Sequence, residues 1–265
     1  MLTAVKNQIR VCVFSVKYNI MREMLNKVTF LTNILFMMLN NGAFIIQWLI
    51  LFRLKEEIGG YSIHQVMLLW GLSASSYGLS HILFARVFSL PEMIVNGKLD
   101  CYLVLPKNVL LSVMTSATST SAIGDFLYGF LVICIFCFRI DRLLLFSLFT
   151  ITGALIITSF SLLMGSLSFW FVRAEKFSMH MTNVMVSFAT YPDGIFKGGT
   201  RFLLYLVIPV GLAIYHPVHI MTSFDVGMFF TVIGYTCLLT AAAVTVFYLG
   251  LRRYSSGNLM ESGRM

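Results

Sequence analysis

Long runs without a charged residue dominate the pattern of this chain. Seven runs stand out, and all but one reach the roughly 20 residues that a membrane-spanning helix needs. The pattern predicts an all-α, polytopic membrane protein with short connections. The runs are 30–52, 63–85, 109–138 (interrupted only by Asp125), 143–172, 177–192, 202–224 and 226–251.

The composition excludes an ordinary soluble domain. Of the residues, 58% are hydrophobic and 11% are charged, with a mean hydropathy of +0.85. Soluble domains carry about 25% charged residues. We attribute the net charge of +8 to contact with anionic lipid headgroups and expect no binding of nucleic acid.

The distribution of basic residues predicts the orientation. With the N-terminus in the cytoplasm, 13 Lys and Arg fall inside and 6 outside, so both termini are expected inside and the number of crossings must be even. The runs 202–224 and 226–251 are separated by one aspartate, and Pro209 and Pro217 interrupt the first. We therefore expect six transmembrane helices and an outer re-entrant helical hairpin at 193–224.

Residues 1–27 carry apolar side chains every three or four positions, with basic residues mostly away from that stripe. This pattern predicts an amphipathic interfacial helix on the inner leaflet. A solvated helix that packs on a partner protein is the alternative. The stripe consists of Val5, Ile9, Val13, Val16, Ile20 and Met24.

The cytoplasmic loop 87–108 contains the signals of a short helix. Ser89 and Glu92 have the spacing of a capping box, Pro91 suits a first helical turn, and Asn96-Gly97 forms a C-terminal stop. These signals predict a helix of about two turns. It is either a rigid knob that docks into a partner or merely a well-made turn between spans.

This loop resembles the G-x-L-D-x-x-L-x-x-P loop of the ABC type-2 permease family, the membrane subunits of ATP-driven exporters. Blocks elsewhere in the chain are similar to the same family in the same order. The matching blocks are Pro91, Gly97-Lys98-Leu99-Asp100 and Leu103-Val104-Leu105-Pro106 in the loop, then Ile58-Gly59-Gly60-Tyr61-Ser62, Leu167-Ser168-Phe169-Trp170-Phe171, Tyr191-Pro192-Asp193-Gly194-Ile195-Phe196, Ile208-Pro209-Val210 and Tyr215-His216-Pro217-Val218.

The resemblance implies a single permease domain over 1–265 in a bacterial cytoplasmic membrane, paired with a second copy or a homologue. Two separate ATPase subunits would bind ATP and Mg, since this chain has no G-x-x-x-x-G-K-[ST] motif and we expect no cofactor in it. The cargo would be hydrophobic or amphipathic: a peptide, an antibiotic or a lipid-linked molecule. The loop would act as the coupling helix, through Ser89, Pro91, Glu92, Asn96, Gly97 and Asp100.

Asp125 is the only acid inside a predicted span, which makes it a functional candidate. Ser121 and Tyr128 lie on its helical face and are its expected hydrogen-bond partners. A cargo or gating role and a structural polar contact both stay open. Because the resemblance implies that the first and fifth spans line the pathway, further pathway candidates are Asn40 and Asn41, and from the hairpin Pro192 and Pro209.

Four other interpretations follow from the sequence. The run of hydroxyl residues at 115–121 favours close helix packing, with a polar translocation surface as the alternative. Cys134 and Cys137 have C-x-x-C spacing but lack the four ligands of a structural zinc site, so no metal is expected.

An ion-gradient-driven transporter that uses Asp125 as a proton carrier is the rival function. A membrane-embedded enzyme is disfavoured because no acid–base pair clusters at one depth.

Overall fold

The computed structural model describes residues 2–171 and 174–254, and apart from one bridge between Ile58 and Tyr61 its regular structure is helical. The predicted all-α class is confirmed. Arg173 and Arg264, both in the inner charge count, lie outside the described residues. The α-helices are α1 (Leu2–Glu23), α2 (Lys27–Leu54), α3 (Ile63–Phe84), α4 (Leu90–Val95), α5 (Asp100–Leu103), α6 (Val109–Met114), α7 (Ser121–Phe136), α8 (Ile140–Ser166), α9 (Ala174–Phe188), α10 (Gly199–Leu206), α11 (His216–Thr222) and α12 (Val226–Leu251).

Four helical segments of the described chain are long and apolar enough to cross a bilayer. They contain the predicted runs 30–52, 63–85 and 226–251 and most of 143–172. This agreement supports a multi-pass membrane protein. The segments are Lys27–Leu54, Ile63–Val95, Ile140–Phe169 and Val226–Leu251.

The third predicted span is not one helix, and the prediction of a continuous helix over 109–138 is wrong. α6 and α7 are separated by residues 115–120, where most of the hydroxyl run lies. The amide of Ser119 donates to the carbonyl of His81 in α3 (3.0 Å), and Ser15 of α1 donates to the carbonyl of Thr115 (2.7 Å). Neighbouring helices thus satisfy at least one amide and one carbonyl that the break frees.

The predicted fifth span, 177–192, corresponds mainly to α9 and falls short of a full crossing. α9 has 15 residues. At 1.5 Å per residue it is about 22 Å long, against a hydrocarbon core of about 30 Å. It packs on α8.

The centre of the bundle is formed by α3 and α8. α3 packs against α7 and α8, and α8 also packs against α12 and α9, while α2 lies on α7. Small residues allow α3 and α7 to approach closely: a Cβ on Gly129 would overlap the carbonyl oxygen of Gly71 and the hydroxyl of Ser75. This contact fixes α7, and Asp125 with it, against α3.

The predicted loop and the predicted hairpin lie at opposite ends of the bundle. At one end, the amide of Asn108, at the end of the loop, donates to the side chain of Gln8 in α1 (3.1 Å). At the other end, Tyr61, in the connection from α2 to α3, shares a hydrogen bond with His219 of α11 (3.2 Å). The hairpin itself consists of α10, a π-helical turn at Gly211–Tyr215, and α11.

α1 attaches to the bundle through its polar side. Ser15 and Asn19 both donate to the carbonyl of Thr115, at 2.7 and 3.1 Å. Val5 and Val13 of the predicted apolar stripe are more than half exposed. The exposed part of the stripe is what the predicted interfacial helix would bury in the inner leaflet, while Val16 and Ile20 of the stripe are already partly buried.

Candidate functional site

α4 is built as a continuation of the α3 span. A 3₁₀ turn at Ala85–Ser89 joins the two helices. α4 ends as the sequence predicts: Gly97 has a φ of +68°, and the amide of Lys98 donates to the carbonyl of Met93 (2.9 Å). This pattern is a Schellman motif, in which glycine tolerates the left-handed conformation.

The predicted capping box at Ser89 and Glu92 does not form, so that prediction is wrong. Because the preceding turn is already helical, Ser89 has φ −106° and ψ 9°, and its hydroxyl donates back to the carbonyl of Arg86 (3.1 Å). Glu92 instead pairs with Lys98. The hydrogen bond from Lys98 lowers the pKa of the Glu92 carboxyl.

α4 has a buried apolar side and an exposed polar side. Leu90, Pro91, Met93 and Ile94 are buried against the ends of α8 and α12 and against α9. Burying four apolar side chains stabilises the packing by several kcal/mol, at about 1.5 kcal/mol or more each. The exposed side carries Glu92 of α4, together with Asn96 and Lys98, which follow the helix.

The rest of the loop is tied to the last span. The hydroxyl of Tyr254, just after α12, donates to Asp100 Oδ1 (2.8 Å). Partial burial, and then this hydrogen bond, raise the pKa of the Tyr254 hydroxyl. Tyr254 is absent from the predicted site residues, because no local pattern links residues 154 positions apart.

Asp125 forms the second part of the site. It is 5% exposed, and its Oδ1 accepts a hydrogen bond of 2.6 Å from Asn41 Nδ2 of α2. The predicted partners are wrong: Ser121 shares a hydrogen bond with Ser119 (3.2 Å), and Tyr128 donates to the carbonyl of Asn41 (3.1 Å). A partner on another helix has displaced both local ones.

A cavity of about 430 Å³ adjoins this carboxylate, between α2, α3, α7 and α9. Asn40, Asn41 and Asp125, all predicted as pathway residues, line it. Pro192 and Pro209 do not line it and are instead buried in the hairpin region. The structure therefore brings together three of the five predicted pathway residues.

A family model described as ABC-2 family transporter protein matches residues 36–257. The chain belongs to the ABC-2 transporter family. The predicted resemblance is thus confirmed, and with it a transport role for a membrane subunit that is not itself catalytic. Searches of curated proteins and of solved structures give no match.

In this ABC-2 permease, an aromatic stack joins the two parts of the site. The ring of His81 in α3 lies between Tyr77 and Phe88, at centroid distances of 3.9 and 3.7 Å. Tyr77 lines the cavity, and Phe88 belongs to the turn that leads into α4. Packed rings thus form a continuous contact from the turn before α4 to the cavity wall.

The described residues offer no obvious metal centre. Within 2–171 and 174–254, no group of three or more His, Cys, Asp or Glu side chains could hold an ion. Cys134 and Cys137 lie near one end of α7.

Proposed function

We propose that this ABC-2 protein is the permease subunit of an ATP-driven exporter in the inner membrane of a bacterium. Two copies, or one copy and a homologue, form the pathway with six crossings each and cytoplasmic termini. Two ATPase subunits hold ATP and Mg and dock onto the exposed side of α4. The two remaining crossings are the broken α6–α7 segment and α9 together with the chain that follows it to residue 192, since α9 alone is too short.

The observation that carries this proposal is the continuity from α4 through α3 to the cavity. The buried side chains of α4 pack against α8, α9 and the end of α12, so a force on its polar side would pass to those helices and, through the turn at Ala85–Ser89, to α3. α3 supplies Trp70, Ser73 and Tyr77 to the cavity wall. Packed helices switch between discrete arrangements in this way.

The direction and the cargo follow from the family resemblance. We propose outward transport of a hydrophobic or amphipathic molecule. The cavity beside Asp125, with its mixed aromatic and polar lining, supports a cargo of that kind.

Site-specific photo-cross-linking tests the docking role. A benzoylphenylalanine replaces Glu92 in the full chain, in native membranes, and the cross-linked protein is identified by mass spectrometry. We expect a protein that carries G-x-x-x-x-G-K-[ST]. Glu56, an exposed acid in the connection between α2 and α3 at the other end of the bundle, is the matched control position and should give no such product.

Charge reversal at the same positions supplies the functional readout. We expect Glu92→Lys to uncouple ATP hydrolysis from export and Glu56→Lys to leave both unchanged. If Glu92 cross-links to no ATPase and Glu92→Lys exports normally, the coupling role is wrong.

A gradient-driven transporter is the second candidate, and the unpaired oxygen of Asp125 is the observation in its favour. Asp125 Oδ2 has no hydrogen-bond partner among the described residues, as expected for a group that takes up protons. Family membership favours the ATP-driven alternative. Collapse of the proton gradient at constant ATP separates the two, because only the gradient-driven transporter then stops.

A further inference from the structure

The cavity beside Asp125 contains two buried polar atoms without partners. Asp125 Oδ2 and Trp70 Nε1 form no hydrogen bond within the described chain, although the two residues are only 5% and 6% exposed. Both residues line the same cavity. A buried acceptor and a buried donor without partners each lower stability, so their retention beside one cavity points to a ligand that satisfies both.

The walls of this cavity favour a cation. Phe44 stacks on Trp70 with ring centroids 4.7 Å apart, and Tyr77 and Tyr191 add two further rings. The described lining includes no Lys, Arg or His to balance Asp125. Because aromatic faces attract cations, the rings and the carboxylate favour the same kind of ligand.

The size of the cavity suits an organic cation better than a small hard one. A small hard cation needs about six oxygen ligands at short range around one point. The lining mixes carboxylate, amide and hydroxyl groups with aromatic rings, and a volume of about 430 Å³ suits a small organic molecule.

We propose that this cavity binds an organic ammonium cation. Because Asp125 Oδ2 and Trp70 Nε1 are both covered in the structure, binding requires a small rotation of each side chain toward the cavity. The N–H of the ligand then donates to Asp125 Oδ2, its apolar body lies against Phe44 and Trp70, and one of its oxygens accepts from Trp70 Nε1. This inference rests on the proposed function, because it names the cargo class of that exporter. Asn41 has a positioning role: by holding Oδ1, it leaves Oδ2 as the oxygen available to the ligand.

Binding of dansylcadaverine tests the proposal. This probe has a primary ammonium, an apolar fluorescent ring and sulfonyl oxygens, and its N-acetylated form is a neutral match. The full chain is placed in nanodiscs of uncharged lipid without ATP, and probe fluorescence is titrated. We expect the neutral probe to bind at least about tenfold more weakly than the ammonium, as for loss of a charge-assisted hydrogen bond.

Variants locate the bound probe. We expect Asp125→Asn to weaken binding at least about tenfold and Trp70→Phe by about threefold, since each removes one hydrogen bond and the first also removes the charge. Asp141→Asn, the same change at an exposed acid, should leave binding unchanged.

Three results would overturn the proposal: equal binding of the two probes, full binding by folded Asp125→Asn, or displacement of the probe by magnesium at constant ionic strength. If the Asp125→Asn variant does not fold, the comparison of the two probes on the unmodified chain decides the matter. Because no ATPase is present, this result is independent of the Glu92 cross-link, so either proposal can fail alone.

Discussion

Two buried carboxylates in this protein differ in the number of hydrogen bonds that they accept. The difference separates a structural site from the proposed ligand site. Asp193 is 2% exposed, and its Oδ2 accepts from Arg201 (2.8 Å) and from Tyr205 (2.9 Å). Asp125 is nearly as buried but accepts from Asn41 alone. Both hydrogen bonds to the first carboxylate come from α10 and hold the hairpin together, whereas the second carboxylate has one oxygen without a partner among the described residues.

The largest expected effect on stability comes from Asp193→Asn. The change removes the charge that pairs with Arg201 and weakens the hydrogen bond from Tyr205. Because Arg201 is about half exposed and can be hydrated, we expect a loss of about 2 to 3 kcal/mol rather than the full penalty of a buried pair. Thermal unfolding in detergent, followed by tryptophan fluorescence, measures it. An unchanged melting temperature would remove the contrast between the two carboxylates.

Tyr205→Phe should have the next largest effect. It deletes one donor to the Asp193 carboxylate and leaves the ion pair with Arg201, so we expect a loss of about 1.5 kcal/mol. Tyr128→Phe, which removes a donor to a backbone carbonyl, is the matched control and should cost about 0.5 to 1 kcal/mol. Equal effects from the two variants would argue against the special status of the Asp193 cluster.

Asp125→Asn should change stability by less than about 1 kcal/mol, because it removes a buried charge while keeping the shape that contacts Asn41. Export should nevertheless be lost. The same unfolding assay, with export measured in parallel, tests both statements. A large loss of stability would make Asp125 a structural residue like Asp193.

The smallest effect is expected for Lys98→Met, at less than about 0.5 kcal/mol, because the pair with Glu92 is exposed. Lys98 lowers the pKa of Glu92, so its contribution is present above the ordinary carboxyl range and disappears as the pH falls through the lowered pKa. Unfolding of both proteins at neutral and at acid pH measures this. A difference that persists in acid would exclude the ion pair as its cause.

The sequence predicts what depends on local pattern. Charge-free runs locate α2, α3, α8 and α12, and Asn96-Gly97 locates the end of α4. The break at 115–120 is not predictable from the sequence, because the bonds that hold it include those of the Thr115 carbonyl to α1 and of the Ser119 amide to α3, far away in the chain. The same run of hydroxyl residues is compatible with a continuous helix and with a break that other helices stabilise.

The same distinction between local patterns and long-range contacts applies to the site. Asn41 and Asp125 are each identifiable as polar residues in apolar runs, but their contact joins positions 84 residues apart. Local spacing favours Ser121 and Tyr128 instead, and the packing of α2 on α7 overrides it. Trp70 gives no signal as a site residue, since an aromatic ring in a span ordinarily indicates packing.

Transport by the reconstituted protein tests the central claim most directly. The full chain and the ATPase identified by cross-linking are placed in proteoliposomes, and accumulation of a labelled organic ammonium is followed with ATP and a protonophore present together. We predict accumulation that requires ATP, survives the protonophore and is absent in Glu92→Lys. Accumulation that proceeds without ATP and stops with the protonophore would contradict the account.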